Sequence, residues 1–343
     1  MIRVLVVDDS AIMRKLITDI LKKDPDIEVV GQAVNGKEAI EKAKLLKPDV
    51  ITLDIEMPEM DGLTALKILR KEVPQAKVIM FSSLTQEGAK ATLEALANGA
   101  FDFVPKPSTK SFLESVKRIE EDLIPKIKAS KGGGATLPKT SSFALKQRLR
   151  PGMYRVLGIG VSTGGPQTLM EILRDIPANF PAPILIVQHM PPLFTRQLAD
   201  RLDKVCPLAV KEAEDGEPIR EGSVYIAPGD LHMTVSSENR ERRIKLTTDP
   251  PVNNCRPAVD VLFDSLAEVY NGSCLALVLT GMGRDGTEGA RKIKQRGGAV
   301  IAQDAESSIV FGMPRSVIEA GLADEVLNLR DIPKRLKELF LVK

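Results

Sequence analysis

Twice along this chain, short runs of aliphatic and β-branched residues alternate with stretches whose apolar residues recur at helical spacing. That rhythm constrains the fold more than any other feature. A run that is apolar nearly throughout reads as a strand buried on both faces, and parallel neighbours of that kind need a crossover helix between them. In the first half the runs are Val4-Leu5-Val6-Val7, Ile27-Glu28-Val29-Val30, Val50-Ile51-Thr52-Leu53, Val78-Ile79-Met80-Phe81 and Phe101-Asp102-Phe103-Val104. Stretches such as Ser10–Lys22 and Gly36–Leu46 between them read as helices, and Pro48, Pro58, Pro74 and Gly99 stand where elements should break. Five βα repeats predict a parallel sheet covered on both faces over residues 1–123. The rhythm returns after Tyr154, with strand-like runs at Val156–Val161, Ile184–Gln188, Ser223–Ala227, Leu275–Thr280 and Ala299–Ala302. Leu231–Ser236 and Arg243–Thr248 flank a polar tip and predict an antiparallel hairpin. Both halves are therefore expected to be α/β, the second (151–343) a doubly wound, mainly parallel sheet carrying that hairpin.

Between the halves the pattern fails. Residues 124–150 hold Pro125, Gly132-Gly133-Gly134, Pro138, Ser141 and Ser142, and their charges are all positive: Lys126, Lys128, Lys131, Lys139, Lys146, Arg148 and Arg150. This composition predicts a flexible, solvated basic linker. Over the whole chain the formal net charge is only +2, with no Trp and three Tyr, so neither charge nor stacking surface points to nucleic acid. Cys206, Cys255 and Cys274 are odd in number and widely spaced, which fits reduced thiols. No apolar run approaches the roughly 20 residues that cross a bilayer, so no membrane insertion and a cytoplasmic location are expected.

Two groups of residues carry chemistry. Asp8 and Asp9 close the first run, Asp54 the third, Ser82 and Ser83 the fourth, and Lys106 follows the fifth. In a parallel sheet these positions share the carboxyl edge, where open α/β folds bind ligands. Any one of them alone would read as a helix or turn cap. Together, three converging carboxylates call for a hard cation, and Mg²⁺ suits them. Asp54 could then accept a phosphoryl group, Lys106 and the metal offsetting its charge, with the Ser82 hydroxyl bonding the phosphate. This stretch resembles the receiver domain of bacterial response regulators, a flavodoxin-like (βα)5 fold. The resemblance implies that Asp54 is the phosphoacceptor, that Asp8, Asp9 and the Glu56 carbonyl complete the Mg²⁺ site, and that Ser82 and Phe103 report phosphorylation to the surface.

In the second half, Gly160-Val161-Ser162-Thr163-Gly164 matches G-x-S-x-G between a strand and a helix, a turn that lifts a serine hydroxyl above the sheet edge. The backbone N–H groups opening that helix could stabilise an oxyanion. Of the chain's two histidines, His189 ends the next run, whereas His232 lies inside the hairpin and reads as structural. A neutral imidazole at position 189 can take the serine proton, and Asp285, in the turn after Leu275–Thr280, can orient it. The order Ser162, His189, Asp285 differs from that of α/β-hydrolases, which suggests an independent arrival at the same triad. A rival reading takes Gly281–Gly286 literally as G-x-G-x-x-G, with Asp304 as its distal acid; against it, Asp285 puts a carboxylate where a pyrophosphate would dock.

Gly160–Gly165, Gln188-His189-Met190-Pro191-Pro192, Tyr225–Asp230, Leu279–Gly286 and Phe311-Gly312-Met313-Pro314-Arg315 resemble the chemotaxis-specific protein-glutamate methylesterases, the CheB family. With the receiver-like half in front, the likeness covers nearly the whole chain, although Arg284 stands where members often carry Asn. It implies nucleophile Ser162, base His189 and acid Asp285, with Thr163 and the Met282 backbone holding the oxyanion. It implies hydrolysis of glutamyl methyl esters on chemotaxis receptors, deamidation of receptor glutamines, a histidine kinase as phosphodonor, and no cofactor for the esterase.

Overall fold

In the computed structural model the described residues are 1–107, 112–131, 149–238 and 241–341. The chain divides into two compact units, Met1–Gly132 and Gly133–Lys343. No helix among the described residues is long and apolar enough to cross a membrane.

The first unit runs β1 (Ile2–Val7), α1 (Ala11–Leu21), β2 (Ile27–Ala33), α2 (Gly36–Leu46), β3 (Val50–Asp54), α3 (Gly62–Glu72), β4 (Lys77–Ser82), α4 (Gln86–Ala97), β5 (Asp102–Pro105) and α5 (Phe112–Lys131). Its five strands are all parallel, in the order β2-β1-β3-β4-β5. Every residue of β3 is buried, as a central strand sandwiched between helices must be. The helices start where side chains offer caps: Ser10, Asn35, Asp61 and Thr85 each accept a backbone N–H of the first turn of α1 to α4.

One expectation is corrected here. The chain does not leave the domain at Ile124: α5 continues to Lys131 with Pro125 inside it. An internal proline removes one helical hydrogen bond, but Ile119, Leu123 and Ile127, spaced by one turn and at most 2% exposed, hold the helix on the sheet. The lysines read as solvated linker charges are anchored too. Lys126 meets Asp122 (2.8 Å) and Asp102 (3.6 Å), Lys128 meets Asp24 (2.7 Å), and Lys131 meets Asp49 (3.3 Å). The remainder of the expected linker, 132–148, lies outside the described residues.

The second unit comprises β6 (Val156–Val161), α6 (Gly165–Arg174), β7 (Ile184–Gln188), α7 (Phe194–Asp203), β8 (Ala209–Glu212), β9 (Ser223–Ile226), β10 (His232–Glu238), β11 (Glu241–Thr247), α8 (Val259–Tyr270), β12 (Cys274–Val278), α9 (Thr287–Gln295), β13 (Ala299–Gln303), α10 (Met313–Glu319), β14 (Glu325–Leu327) and α11 (Ile332–Phe340). Seven strands form one parallel sheet, ordered β14-β13-β12-β6-β7-β9-β8. The hairpin β10-β11 is a separate antiparallel pair, and Met233, Val235 and Ile244 from it join α8 in one apolar cluster. The order of strands decides where a site can form. The chain goes from β6 outward to β7 on one side, while β12 pairs with β6 on the other. A crevice therefore opens at the carboxyl end of β6, at the point where winding reverses.

Candidate active site

Three adjacent strand ends meet at that crevice. β6 delivers Ser162 into a turn closed by Gly164, whose φ of +79° is costly for any residue with a side chain. The turn is clamped from both neighbours. Gln188, the last residue of β7, donates from Nε2 to the Ser162 carbonyl (3.0 Å), and the Ser162 N–H donates to the Thr280 carbonyl beyond β12 (3.0 Å). Gly281 lies so close that a Cβ there would stand 2.7 Å from the Ser162 Cβ and 2.5 Å from the Met313 sulfur. Thr163 is 3% exposed, its carbonyl accepts from the Thr280 hydroxyl (2.9 Å), and its own Oγ1 is buried without a hydrogen-bond partner among the described residues. Met282, in the turn after β12, is partly buried.

His189 follows β7, and its Nε2 lies 2.8 Å from Asp285 Oδ2. Asp285 is 2% exposed and anchored on every side. It accepts the N–H groups of Val259 (2.6 Å) and Asp260 (3.1 Å) at the start of α8, the Gly286 N–H (3.0 Å) and Asn253 Nδ2 (2.9 Å). α8 has no cap from its own Ala258, so the Asp285 carboxylate is its cap, reaching in from the turn after β12. Burial works against the charge, but the His189 contact and these N–H groups outweigh it and hold Asp285 below its ordinary pKa. Burial likewise disfavours a charged His189; the bond to Asp285 and the neighbouring Cys255 thiol prevail, and its pKa lies above the usual imidazole range.

The other ring nitrogen faces Cys255: Sγ lies 3.7 Å from His189 Nδ1. No hydrogen bond between the Ser162 hydroxyl and His189 is present among the described residues, although both side chains belong to neighbouring strand ends. Cys255 and Asn253 are contributions that the sequence reading missed. They sit on a tight turn, Val252–Cys255, closed by reciprocal backbone bonds of 3.1 and 2.9 Å. Asn253 and Asn254 hold φ of +52° and +60°, the pattern of a type I′ turn, in which Asn is favoured. The Asn-Asn pair was the available signal. His232 is structural as expected, its Nε2 within 3.1 Å of the Pro250 carbonyl and its Nδ1 accepting the Ala258 N–H. Asp304, the distal acid of the rival dinucleotide reading, is occupied by Ser307 and Asn328.

In the first unit, carboxylate oxygens of Asp8, Asp9 and Asp54 lie within 4.8 Å of one another. Lys106 Nζ stands 2.6 Å from Asp54 Oδ2 and 3.2 Å from Asp8 Oδ2, and neither buried oxygen has another partner among the described residues. Burial, reinforced by Asp8 and opposed by Lys106, pushes Asp54 up to about 6; burial raises Asp8 as well. Three acids facing one ammonium leave a surplus of negative charge on carboxylate oxygens, which is what a divalent oxygen-seeking cation needs. Glu56 is exposed; its N–H meets Asp54 Oδ1 at 3.4 Å. The Ser82 hydroxyl is turned to the Gly88 carbonyl (3.0 Å). Phe103 is 5% exposed, with Lys126 Nζ 5.3 Å from its ring centre and 2.6 Å from its carbonyl oxygen.

Comparison with known proteins agrees with both halves. Residues 157–336 match the CheB methylesterase family and residues 4–117 the response regulator receiver domain. The chain belongs to the CheB methylesterase family. The protein-glutamate methylesterase/protein-glutamine glutaminase of Thermotoga maritima is 51% identical over 98% of both chains. That of a Nocardioides species is 49% identical over 98% of this chain and 95% of its own. The crystal structure of the Thermotoga maritima CheB methylesterase catalytic domain superposes with a TM-score of 0.54 at 53% identity, covering 54% of this chain and 98% of that one. In this CheB-family chain the N-terminal α/β unit is thus a receiver domain and the C-terminal unit a methylesterase-type domain.

Proposed function

We propose that this protein is a phosphorylation-regulated hydrolase that removes methyl esters from glutamate side chains of chemotaxis receptors in the cytoplasm. The observation that carries the reading is the 2.8 Å bond between Asp285 and His189 beside the clamped Ser162 turn. With Nε2 committed to Asp285, Nδ1, which faces the Cys255 thiol in this structure, is the nitrogen left to take the Ser162 proton as its Oγ attacks the ester carbonyl. The negative charge that develops on the carbonyl oxygen would be met by backbone N–H groups near Met282 and at the start of α6, with Thr163 in support. Collapse expels the methoxy group, which leaves as methanol with the proton from His189. Water deprotonated by the same nitrogen then releases the glutamate and restores Ser162. A glutamine amide passes through the same steps with ammonia as leaving group, so deamidation is a second activity of this site.

In the receiver domain, Asp54 is the phosphoacceptor, with a chemotaxis histidine kinase as donor. Asp8, Asp9, Asp54 and the Glu56 carbonyl would hold Mg²⁺, which when bound supplies charge neutralisation for phosphoryl transfer. Lys106 stabilises the acyl phosphate, and Ser82 and Phe103 respond to it, Ser82 by exchanging the Gly88 carbonyl for a phosphate oxygen. Methanol release from methylated receptor, with and without a small phosphodonor, tests the whole reading. Ser162→Ala should abolish release while leaving the circular dichroism spectrum unchanged. Undiminished turnover in that variant would reject the assignment.

A further inference from the structure

The esterase domain places a second potential nucleophile against the same base. Cys255 Sγ lies 3.7 Å from His189 Nδ1, and His189 Nε2 lies 2.8 Å from Asp285 Oδ2, so thiol, imidazole and carboxylate form one chain. Asp285 also accepts backbone N–H groups, which keep it an acceptor and put the imidazole proton on Nε2. Nδ1 then carries the lone pair, and the group in front of it is the Cys255 thiol. The thiol is firmly presented. Asn253, two residues before it, donates to both Asp285 (2.9 Å) and Asp260 (2.8 Å), and the turn between them is closed by paired backbone bonds.

We propose that Cys255 is a reactive thiol that His189 Nδ1 deprotonates as the sulfur attacks, and that small soft electrophiles modify it and thereby silence the esterase. Thiolate, not thiol, is the nucleophile, and an imidazole lone pair facing the sulfur can take the thiol proton as the bond to the electrophile forms. Among the described residues, neither of the other two thiols has a hydrogen bond to an imidazole. Cys274 is wholly buried on β12, and burial pushes Cys206 up to about 11. Cys255 is partly exposed and reachable. With a haloacetamide the sulfur forms a bond to the methylene carbon, the carbon–halogen bond breaks, and halide leaves with the bonding pair. The thiol proton stays on Nδ1 until solvent removes it. The resulting thioether occupies the edge of His189 that Ser162 requires. This last consequence rests on the proposed esterase function; the reactivity of the thiol does not.

The test treats the full-length protein with limiting iodoacetamide at neutral pH. Mass spectrometry maps the adducts, and methanol release from methylated receptor is followed in parallel. Cys255 should be alkylated roughly tenfold or more faster than Cys206 and Cys274. In His189→Gln its rate should fall to that of an ordinary exposed thiol, with Cys274 still unreactive as the internal sign that the domain is folded. Loss of methanol release should track the Cys255 adduct, and Cys255→Ser should keep its own starting activity through the treatment. Equal rates at the three thiols, an unchanged rate in His189→Gln, or inactivation of Cys255→Ser would overturn the proposal. A wild-type protein that releases no methanol before treatment would fail the esterase reading alone, because the adduct map decides the thiol independently.

Discussion

At His189 the two ring nitrogens face chemically different neighbours, and the pH dependence of turnover follows from which is which. In the proposed mechanism the base works only when neutral, so activity is expected above the imidazole pKa and should be lost as pH falls through it. Because Asp285, together with Cys255, raises that pKa against the effect of burial, the acidic limb of kcat/KM should lie above the ordinary imidazole value of about 6.5. Asp285→Asn removes one of the two groups responsible. It should move the limb to lower pH and reduce kcat by about 10³- to 10⁴-fold, the scale for losing the orienting acid of such a triad. A pH profile of both proteins checks this, and a limb that stays in place would show that Asp285 does not set the basicity of His189. The placement of Ser162, His189 and Asp285 at one sheet edge was legible in the sequence because each follows a recognisable apolar strand, and a parallel sheet gathers strand ends. Asn253 and Cys255 were not, because they arrive from an irregular loop whose position depends on a hydrogen bond to Asp285.

Among the elements, legibility followed burial. β6 and β7 have the boundaries their apolar runs predict, since every residue in both is buried. The edge strands β8 and β14 escaped notice: neither shows a continuous apolar run, having lost the constraint of a second neighbour. The expected domain end at residue 123 falls inside α5 for the opposite reason, because Pro125 argues locally against a helix that tertiary contacts maintain. Lys126 is central to those contacts, 8% exposed, paired with Asp102 and Asp122 and donating to the Phe103 carbonyl. Lys126→Met would leave Asp102, itself 6% exposed, without its cation, a loss on the order of 3–5 kcal/mol for a buried pair. Urea unfolding of the receiver should shift accordingly, and an unmoved midpoint would mean that the pair contributes nothing. On the esterase side, Gly281→Ala pushes a methyl group to 2.7 Å from the Ser162 Cβ. It should lower kcat at least tenfold, a displacement of the order of 1 Å being enough, while circular dichroism stays that of the parent; an unaltered kcat would show that the turn accommodates the methyl group.

For the molecule as a whole, the two units use unlike chemistry, and a metal chelator should separate them. In the proposed reading the receiver takes up a cation because its carboxylates outnumber Lys106, with burial pushing Asp54 up to about 6. The esterase side obtains its electrostatics from fixed groups: the α8 N–H groups on Asp285, and Asp285 on His189. In full-length protein, EDTA should therefore leave basal methanol release within about twofold of its starting value while abolishing the increase produced by a small phosphodonor; Mg²⁺ should restore that increase. Asp54→Ala should behave as the chelated protein does, with basal turnover retained and no response to phosphodonor at any Mg²⁺ concentration. Metal-free receiver stability carries the same signature with a definite sign. A raised Asp54 pKa favours the folded state below about pH 4 and loses that contribution as pH rises through about 6, so Mg²⁺ should raise the melting temperature more at pH 7 than at pH 4. Basal turnover that collapses in EDTA would place a metal in the esterase step and remove the separation on which this reading depends.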